Sequence, residues 1–361
     1  MWSHVTRHAL LAALALGATV PVSAQVTKGG SAVPFLLISP SARASGMGEA
    51  GTAVASDVNA TFFNIGGLAY QKNSQVSLTY SKWLPQFNAD LHYSYASGST
   101  YLEDLTGTIS GQFTFLDLGE FQQTFEDGRT GDKFRSLEFA LGVGYSTMLS
   151  DDLGAGIMGR YIQSNLSSLP VGNQKEEGIG RSVAFDLGVL WKPETDWGMP
   201  KDFITIGTTI ANIGPKIHYI DIAQADPLPT SFRFGTNFHL VEDEYNDLNV
   251  TADVMKLLVN RPSKDEVDPI PKSLVTAWGN SMGVELALGA EYWYEKLVAL
   301  RAGYFTESAA GGNREFLTFG AGLRYDIYGI DFSYINTIEE AHPLANTLRF
   351  SLVVDFDRTV P

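Results

Sequence analysis

Cysteine is absent from the 361-residue sequence. That removes disulfides and thiolate chemistry and leaves the redox compartment open. It also removes the acylated cysteine of a lipid-anchored lipoprotein. Basic residues are scarce, with 25 Lys and Arg against 40 Asp and Glu, a net charge of −15. That sign excludes nucleic acid as a partner, because phosphates demand cations. After residue 24 no unbroken apolar run reaches spanning length, and a transmembrane helix needs roughly 20 such residues. If this chain sits in a membrane, it does so as a closed barrel. Metal-ligand spacing is missing too. His92, His218, His239 and His342 lie far apart in sequence. The acidic groups Glu242-Asp243-Glu244 and Asp265-Glu266-Asp268 fall in connections and lack the spaced oxygen ligands of a calcium loop. No metal or other cofactor is expected.

What is present begins with an N-terminal leader. Arg7 and His8 form a short basic region, Leu10 to Val20 an apolar core, and Val22-Ser23-Ala24 a small-residue cleavage site before Gln25. Residues 1–24 read as a secretory signal peptide. Their removal takes Arg7 and no acid, leaving 24 basic and 40 acidic residues and a net charge of −16.

The segment that follows contains Gly46-Met47-Gly48-Glu49-Ala50-Gly51, a full G-x-G-x-x-G. The apolar run at 33–39 before it and the helix-compatible stretch after it imitate a dinucleotide-binding turn. Two features oppose that reading. Gly66 to Gln75 holds no acid where a ribose ligand is expected, and the leader sends the chain away from nicotinamide cofactors. The glycines read instead as tight turns and close backbone approaches.

From residue 75 onward the dominant period is two. In 346–356, Leu348, Phe350, Leu352, Val354 and Phe356 share one face, with Arg349, Ser351 and Asp355 on the other. In 183–191, Val183, Phe185, Leu187, Val189 and Trp191 oppose Asp186 and Gly188. Successive strand side chains point to opposite faces, so such segments are strands with one apolar side. Fourteen are found, at about 75–83, 89–97, 107–118, 138–149, 153–164, 182–193, 203–213, 230–240, 248–258, 283–293, 298–307, 314–325, 329–336 and 347–356. Most match the roughly 9–11 residues of a tilted membrane strand, and an even count suits a bacterial barrel. Long connections at 119–137, 165–181, 214–229 and 259–282 largely alternate with short ones, as extracellular loops alternate with periplasmic turns. The short connection at 84–88 breaks that alternation.

A soluble β-sandwich is the rival all-β reading, and the polar faces argue against it. They carry much Gly with scattered charge and little Lys. A packed polar lumen accounts for Gly beside Arg160, Arg301, Arg324 and Arg349, balanced by Glu138, Asp186, Glu285 and Asp355. Trp83, Tyr145, Tyr161, Trp191, Trp293 and Tyr325 lie near segment ends, where interfacial girdles form. The expected fold is all-β: a 14-stranded antiparallel transmembrane outer-membrane β-barrel (75–361) behind a short N-terminal plug (25–74). An enzyme is not expected. Gly279-Asn280-Ser281-Met282-Gly283 matches a nucleophile elbow, but it leads into an alternating strand rather than a helix.

The stretch VPFLLISPSARASGMGEAGTAVASDVNATFFNIGGLA resembles the plug of FadL-like outer-membrane barrels. It is more closely similar to the PorV branch, the outer-membrane component of the type IX (Por) secretion system. Residues 299–335, around Arg301-Ala302-Gly303-Tyr304-Phe305 and Gly320-Ala321-Gly322-Leu323-Arg324-Tyr325, resemble paired strands of that branch, and residues 113–128 its third strand and following loop. By position, Arg43, Gly46, Gly48, Gly51, Asp57, Asn64 and Gly67 fall in the plug pattern. The chain departs from it at Ile65 and Gly66, where Pro and Ala are usual; a proline would fix φ and remove a donor.

The resemblance implies binding rather than catalysis. Such a barrel would collect cargo from the translocon barrel by its C-terminal sorting domain and present it to sortase-type attachment proteins at the cell surface, with outer-membrane lipid around it. Phe121, Phe125, Leu166, Leu169, Tyr219 and Trp278, on the long outside connections, are the candidate contacts, since apolar groups on long loops can mark binding. The wider FadL resemblance implies a channel for long-chain fatty acids or other hydrophobic solutes as the alternative.

Overall fold

The computed structural model describes residues 30–356, apart from 56, 88–89, 125–128, 171–176, 195–201, 222–223, 264–265 and 340–341. The expected signal peptide and Phe125 lie outside the described residues.

Fourteen antiparallel strands close into a barrel, each paired with its sequence neighbours and the last with the first. They are β1 (Gln75–Lys82), β2 (His92–Leu102), β3 (Gly107–Thr124), β4 (Thr130–Ser150), β5 (Leu153–Pro170), β6 (Glu177–Trp191), β7 (Ile204–Ile213), β8 (Ser231–Glu242), β9 (Asn246–Leu257), β10 (Val284–Tyr294), β11 (Val298–Glu307), β12 (Glu315–Tyr325), β13 (Tyr328–Thr337) and β14 (Leu348–Asp355). Closure leaves no free edge around the belt, which a bilayer without water requires. Period-two burial follows the expected faces. Val76, Leu78 and Tyr80 are exposed on β1, while Ser77, Thr79 and Ser81 are buried toward the lumen. The outward residues form the lipid-facing wall.

Two of the expected long connections are mostly strand. β3 and β4 continue upward to Thr124 and Thr130, and β5 and β6 to Pro170 and Glu177. Phe121 stacks on Phe134 with ring centroids 5.9 Å apart, Lys133 Nζ donates to Glu120 at 2.6 Å, and Arg135 pairs with Asp117. Cross-strand pairs of this kind sustain a ladder without a buried face. Both faces are wet there, so the apolar alternation fades while the pairing persists. The connections 214–230 and 258–283 are loops, the second carrying the helix Ile270–Thr276. The turns on the opposite side are short, such as Glu295 to Leu297 and Asp326 to Ile327, and one between β6 and β7 is longer.

Two of the six aromatic residues assigned to interfacial girdles face inward. Trp83 packs against the lumen core, with the Arg349 guanidinium 5.7 Å from its ring. Trp293 lies 5.4 Å from the Arg301 guanidinium and 5.2 Å from that of Arg324. Strand parity explains Trp293, which shares its face with Glu291 and Gly289. Trp191, Tyr161 and Tyr325 are exposed on the wall.

Residues 33–55 and 57–70 run inside the barrel, with short helical turns at Pro34–Leu37, Ala42–Ser45, Ala60–Phe63 and Ile65–Tyr70. The apolar run at 33–39 is thus a 3₁₀ turn and not a strand. Irregular backbone at membrane depth is tolerated only where protein satisfies its polar groups. The wall does so here. Ala42 N donates to Ser351 Oγ at 3.0 Å, Gly48 N to Thr318 Oγ1 at 2.8 Å, and Val58 N to Gln75 Oε1 at 3.1 Å. Gly51 N and Thr52 N both donate to Asp253 Oδ2, at 2.8 and 2.7 Å. The carbonyl of Ile65 accepts from Ser146 Oγ at 2.7 Å.

Candidate functional site

The lumen is built in layers along its axis. The lowest is a charge cluster near the short turns. Arg43 from the N-terminal segment donates to both carboxylate oxygens of Glu291 on β10, at 2.9 and 2.7 Å, and to Asp57 at 2.9 Å. Arg301 on β11 reaches the same Glu291 at 2.7 Å and Asp331 on β13 at 2.8 Å. Arg324 completes the cluster, meeting Asp331 at 2.7 Å. Three guanidiniums thus alternate with three carboxylates, and Glu291, Arg301 and Asp331 are almost fully buried. Two small cavities of about 190 and 220 Å³ flank it, both touching Arg43 and Trp293.

Higher up, Arg160 pairs with Asp186 and donates to Asn212 Oδ1 at 3.0 Å. Arg349, fully buried, donates to Ser45 Oγ and lies 3.1 Å from Glu49. Arg314 bridges Glu307 and Glu285, each at 2.6 Å. Arg233 lies 5.1 Å from the ring of Phe62 and 5.9 Å from that of Phe63.

Among the described residues, one acid named from the sequence, Glu138, has no arginine partner. Glu138 accepts from Ser164 Oγ at 2.7 Å and makes no ion pair among the described residues. Asp355 accepts from Asn73 at 2.6 Å and Gln75 at 3.0 Å. Of the named arginines, Arg301 and Arg324 share Asp331, while Arg160 and Arg349 stand in separate clusters. Sequence reasoning missed Glu291, Asp331, Arg314 and Asp253. Glu291, Asp331 and Asp253 have lumen parity within their strands, so the period-two pattern contained their signal, while Arg314 stands just before β12; which acid meets which base depends on register and on the inserted segment.

The glycines of the N-terminal motif meet the wall closely. Gly48 has φ +67°, which favours glycine. A Cβ on Gly303 of β11 would fall 2.0 Å from Gly48 N and 2.2 Å from Met47 C. Gly46 faces Gly320 in the same manner, Gly51 packs on the Phe63 ring, and Gly67 lies on Ala55. Asn64 ties three points together. Its Nδ2 donates to Thr52 O at 3.0 Å and Val189 O at 2.9 Å, and its Oδ1 accepts from Gly66 N at 3.1 Å. That side-chain cap closes the turn without the usual proline.

Above these layers the barrel opens into a cavity of about 1090 Å³. Phe35, Leu37, Trp83, Leu116, Met255 and Leu257 give it apolar walls, and Glu49, Glu285, Glu307 and Arg314 also line it. Leu166 and Tyr219 line it; Tyr219 donates to Ser164 Oγ at 3.0 Å. Phe121 lies outside it, in the β3–β4 extension. Leu169 is half-buried near the top of β5. Trp278 sits on the outer wall against Phe232 of β8, centroids 5.4 Å apart. Of the five described loop contacts named from the sequence, Leu166 and Tyr219 share this cavity, while Phe121 and Trp278 lie away from it.

The family model described as type IX secretion system protein PorV matches residues 23–264. The chain belongs to the PorV family. The match covers the N-terminal segment and β1 to β9 but not residues 299–335. No curated protein matches the chain. Among solved structures, it is similar to the Pseudomonas putida toluene transporter TodX, with a TM-score of 0.53 at 12% identity, covering 92% of this chain and 99% of that one. A second TodX structure gives 0.55 at 11% identity, over 88% and 98%. A Pseudomonas aeruginosa FadL homologue gives 0.47 at 14%, over 91% and 100%. The TodX likenesses establish a shared barrel fold. PorV-family membership with that fold makes this an outer-membrane protein, and a secretion or transport barrel by class.

Proposed function

We propose that this barrel is a binding component of the type IX secretion system that holds secreted cargo by its C-terminal sorting domain. It takes cargo from the translocon barrel and presents it to sortase-type attachment proteins. Residues 25–74 act as a plug, and the extracellular face acts as the receiving surface. One observation carries the reading: the lumen is filled and tied at its lower levels while it opens widely at the outer end. Buried ion pairs and wall-to-backbone hydrogen bonds hold the inserted segment at Ala42, Arg43, Thr52 and Ile65, which suits a holder better than a conduit. The test is a deletion strain. Cargo bearing the sorting domain should stay inside the outer membrane or fail to attach; normal surface display would end the proposal.

A second reading is a channel for hydrophobic solutes. The apolar walls of the outer cavity favour it. Uptake of a long-chain fatty acid would then collapse in the deletion strain while cargo display persists.

A further inference from the structure

The ladder between β6 and β7 stops early. β6 pairs with β7 only from Phe185 downward, where Phe185 faces Ile213. Above that point the wall beside β6 is the 214–230 connection, held by Ser182 Oγ donating to Pro215 O at 3.1 Å. Outside this join lies an apolar cleft of about 520 Å³, within the range of small-molecule sites. Phe185, Ile213, Pro215, Leu228, Val259 and Ile270 are among its walls.

The level of this cleft is readable from β6. Val183 and Phe185 point outward and are 48% and 53% exposed, as lipid-facing residues are. Arg181, the next outward residue above them, marks the headgroup level. The far side of the cleft is the helix Ile270–Thr276, with Val275 74% exposed and Trp278, just beyond it, lying on the wall at Phe232. Tryptophan favours the membrane–water interface. The cleft therefore lies at the level of the outer leaflet.

Two exposed cations border its upper end: Lys216 lines it and Arg181 lies on β6 above Val183, while the acid in its lining, Asp268, is paired with Lys272. Arg181 and Lys216 flank the Ser182–Pro215 hydrogen bond, and both are exposed. Arg181 Nε donates to Gln163 at 3.3 Å and Lys216 Nζ to the Val267 carbonyl at 3.3 Å. Neither forms an ion pair among the described residues. In a chain with 40 acids and 25 bases, two cations without an acid partner among the described residues, carried on either side of the Ser182–Pro215 join above a greasy cleft, are complementary to an anionic amphiphile. We propose that the cleft binds a phosphate-bearing lipid of the outer leaflet, one acyl chain between β6 and the helix Ile270–Thr276, the phosphate between Arg181 and Lys216. Hydrocarbon burial supplies affinity, and the guanidinium and ammonium supply charge-assisted contacts to phosphate.

The test uses the full chain in a non-ionic detergent, titrated with diphosphoryl lipid A or with phosphatidylcholine, and counts bound lipid by native mass spectrometry. One lipid A should be retained under conditions that strip phosphatidylcholine. Arg181→Gln with Lys216→Gln should lower lipid A retention at least tenfold. Ser273→Trp, which fills the cleft, should abolish it, and so should Ile270→Glu. Lys133→Gln, a surface cation away from the cleft, should change nothing. Heat-modifiable migration on gels verifies that each variant is a folded barrel. Equal retention of the two lipids overturns the proposal. So does a double charge variant that binds lipid A normally, or cleft variants that fold and still retain it.

Discussion

Arg43 and Glu291, 248 positions apart in the chain, form a two-point pair inside the barrel. One belongs to the inserted N-terminal segment and the other to β10. Glu291 also holds Arg301, so this one carboxylate joins the segment to both β10 and β11.

Removing that carboxylate should be costly. Glu291→Ala leaves two buried guanidiniums facing each other, and breaking a buried pair costs about 3–5 kcal/mol. The expected outcome is a clear fall in the temperature at which the folded gel band converts to the unfolded one. Glu291→Gln keeps hydrogen bonding but not charge and should fall between. Equal band-shift temperatures for Glu291→Ala and the parent would refute the role.

The close approach of Gly303 and Gly48 predicts a displaced segment. Gly303→Ala places a methyl group into the backbone at Met47 and Gly48. Limited proteolysis of the folded barrel should then cut within residues 33–70 at several times the parent rate. Gly98→Ala is the control, since its nearest neighbours would be 3.8 Å away; its digestion pattern should match the parent.

Conductance tests the plug directly. The full chain in a planar lipid bilayer should give no sustained ionic current. Deleting residues 33–70 removes the contents of the lumen and should yield an open pore. A deletion barrel that folds and remains closed would show that something else seals the lumen.

The outer loop carries its own pH dependence. Asp268 accepts from Lys272, Thr276 and Asn260, and these contacts pull its carboxyl down to about 2, from an ordinary 3.8. A lowered folded-state pKa means stabilisation that is present above the ordinary value and lost as pH falls through the lowered one. Hydrogen exchange in residues 260–279, corrected for intrinsic rate, should be constant from pH 7 to about 5 and should rise between about pH 4 and 2. Asp268→Asn should exchange faster at neutral pH and lose that dependence.

How much of this was legible before the fold is clearest from single elements. β6 could be read from Val183, Phe185, Leu187 and Trp191 alone, because a two-sided wall between lipid and lumen writes a strict alternation. The tops of β3 to β6 could not, because water on both faces removes the apolar signal. The nearness of Trp293 to a strand end points to a girdle, whereas its parity with Glu291 places it inward. Arg43 was recognised as part of the inserted segment, but Glu291 as its partner was not.

The sequence by itself determined strand number, the barrel, and which face of each strand meets lipid, since these follow from local periodicity and bilayer thickness. Tertiary structure alone decided which charges meet, how the glycine-rich segment threads the lumen, and where the wall parts beside β6. Those features depend on register and on contacts between residues hundreds of positions apart, which no local pattern encodes.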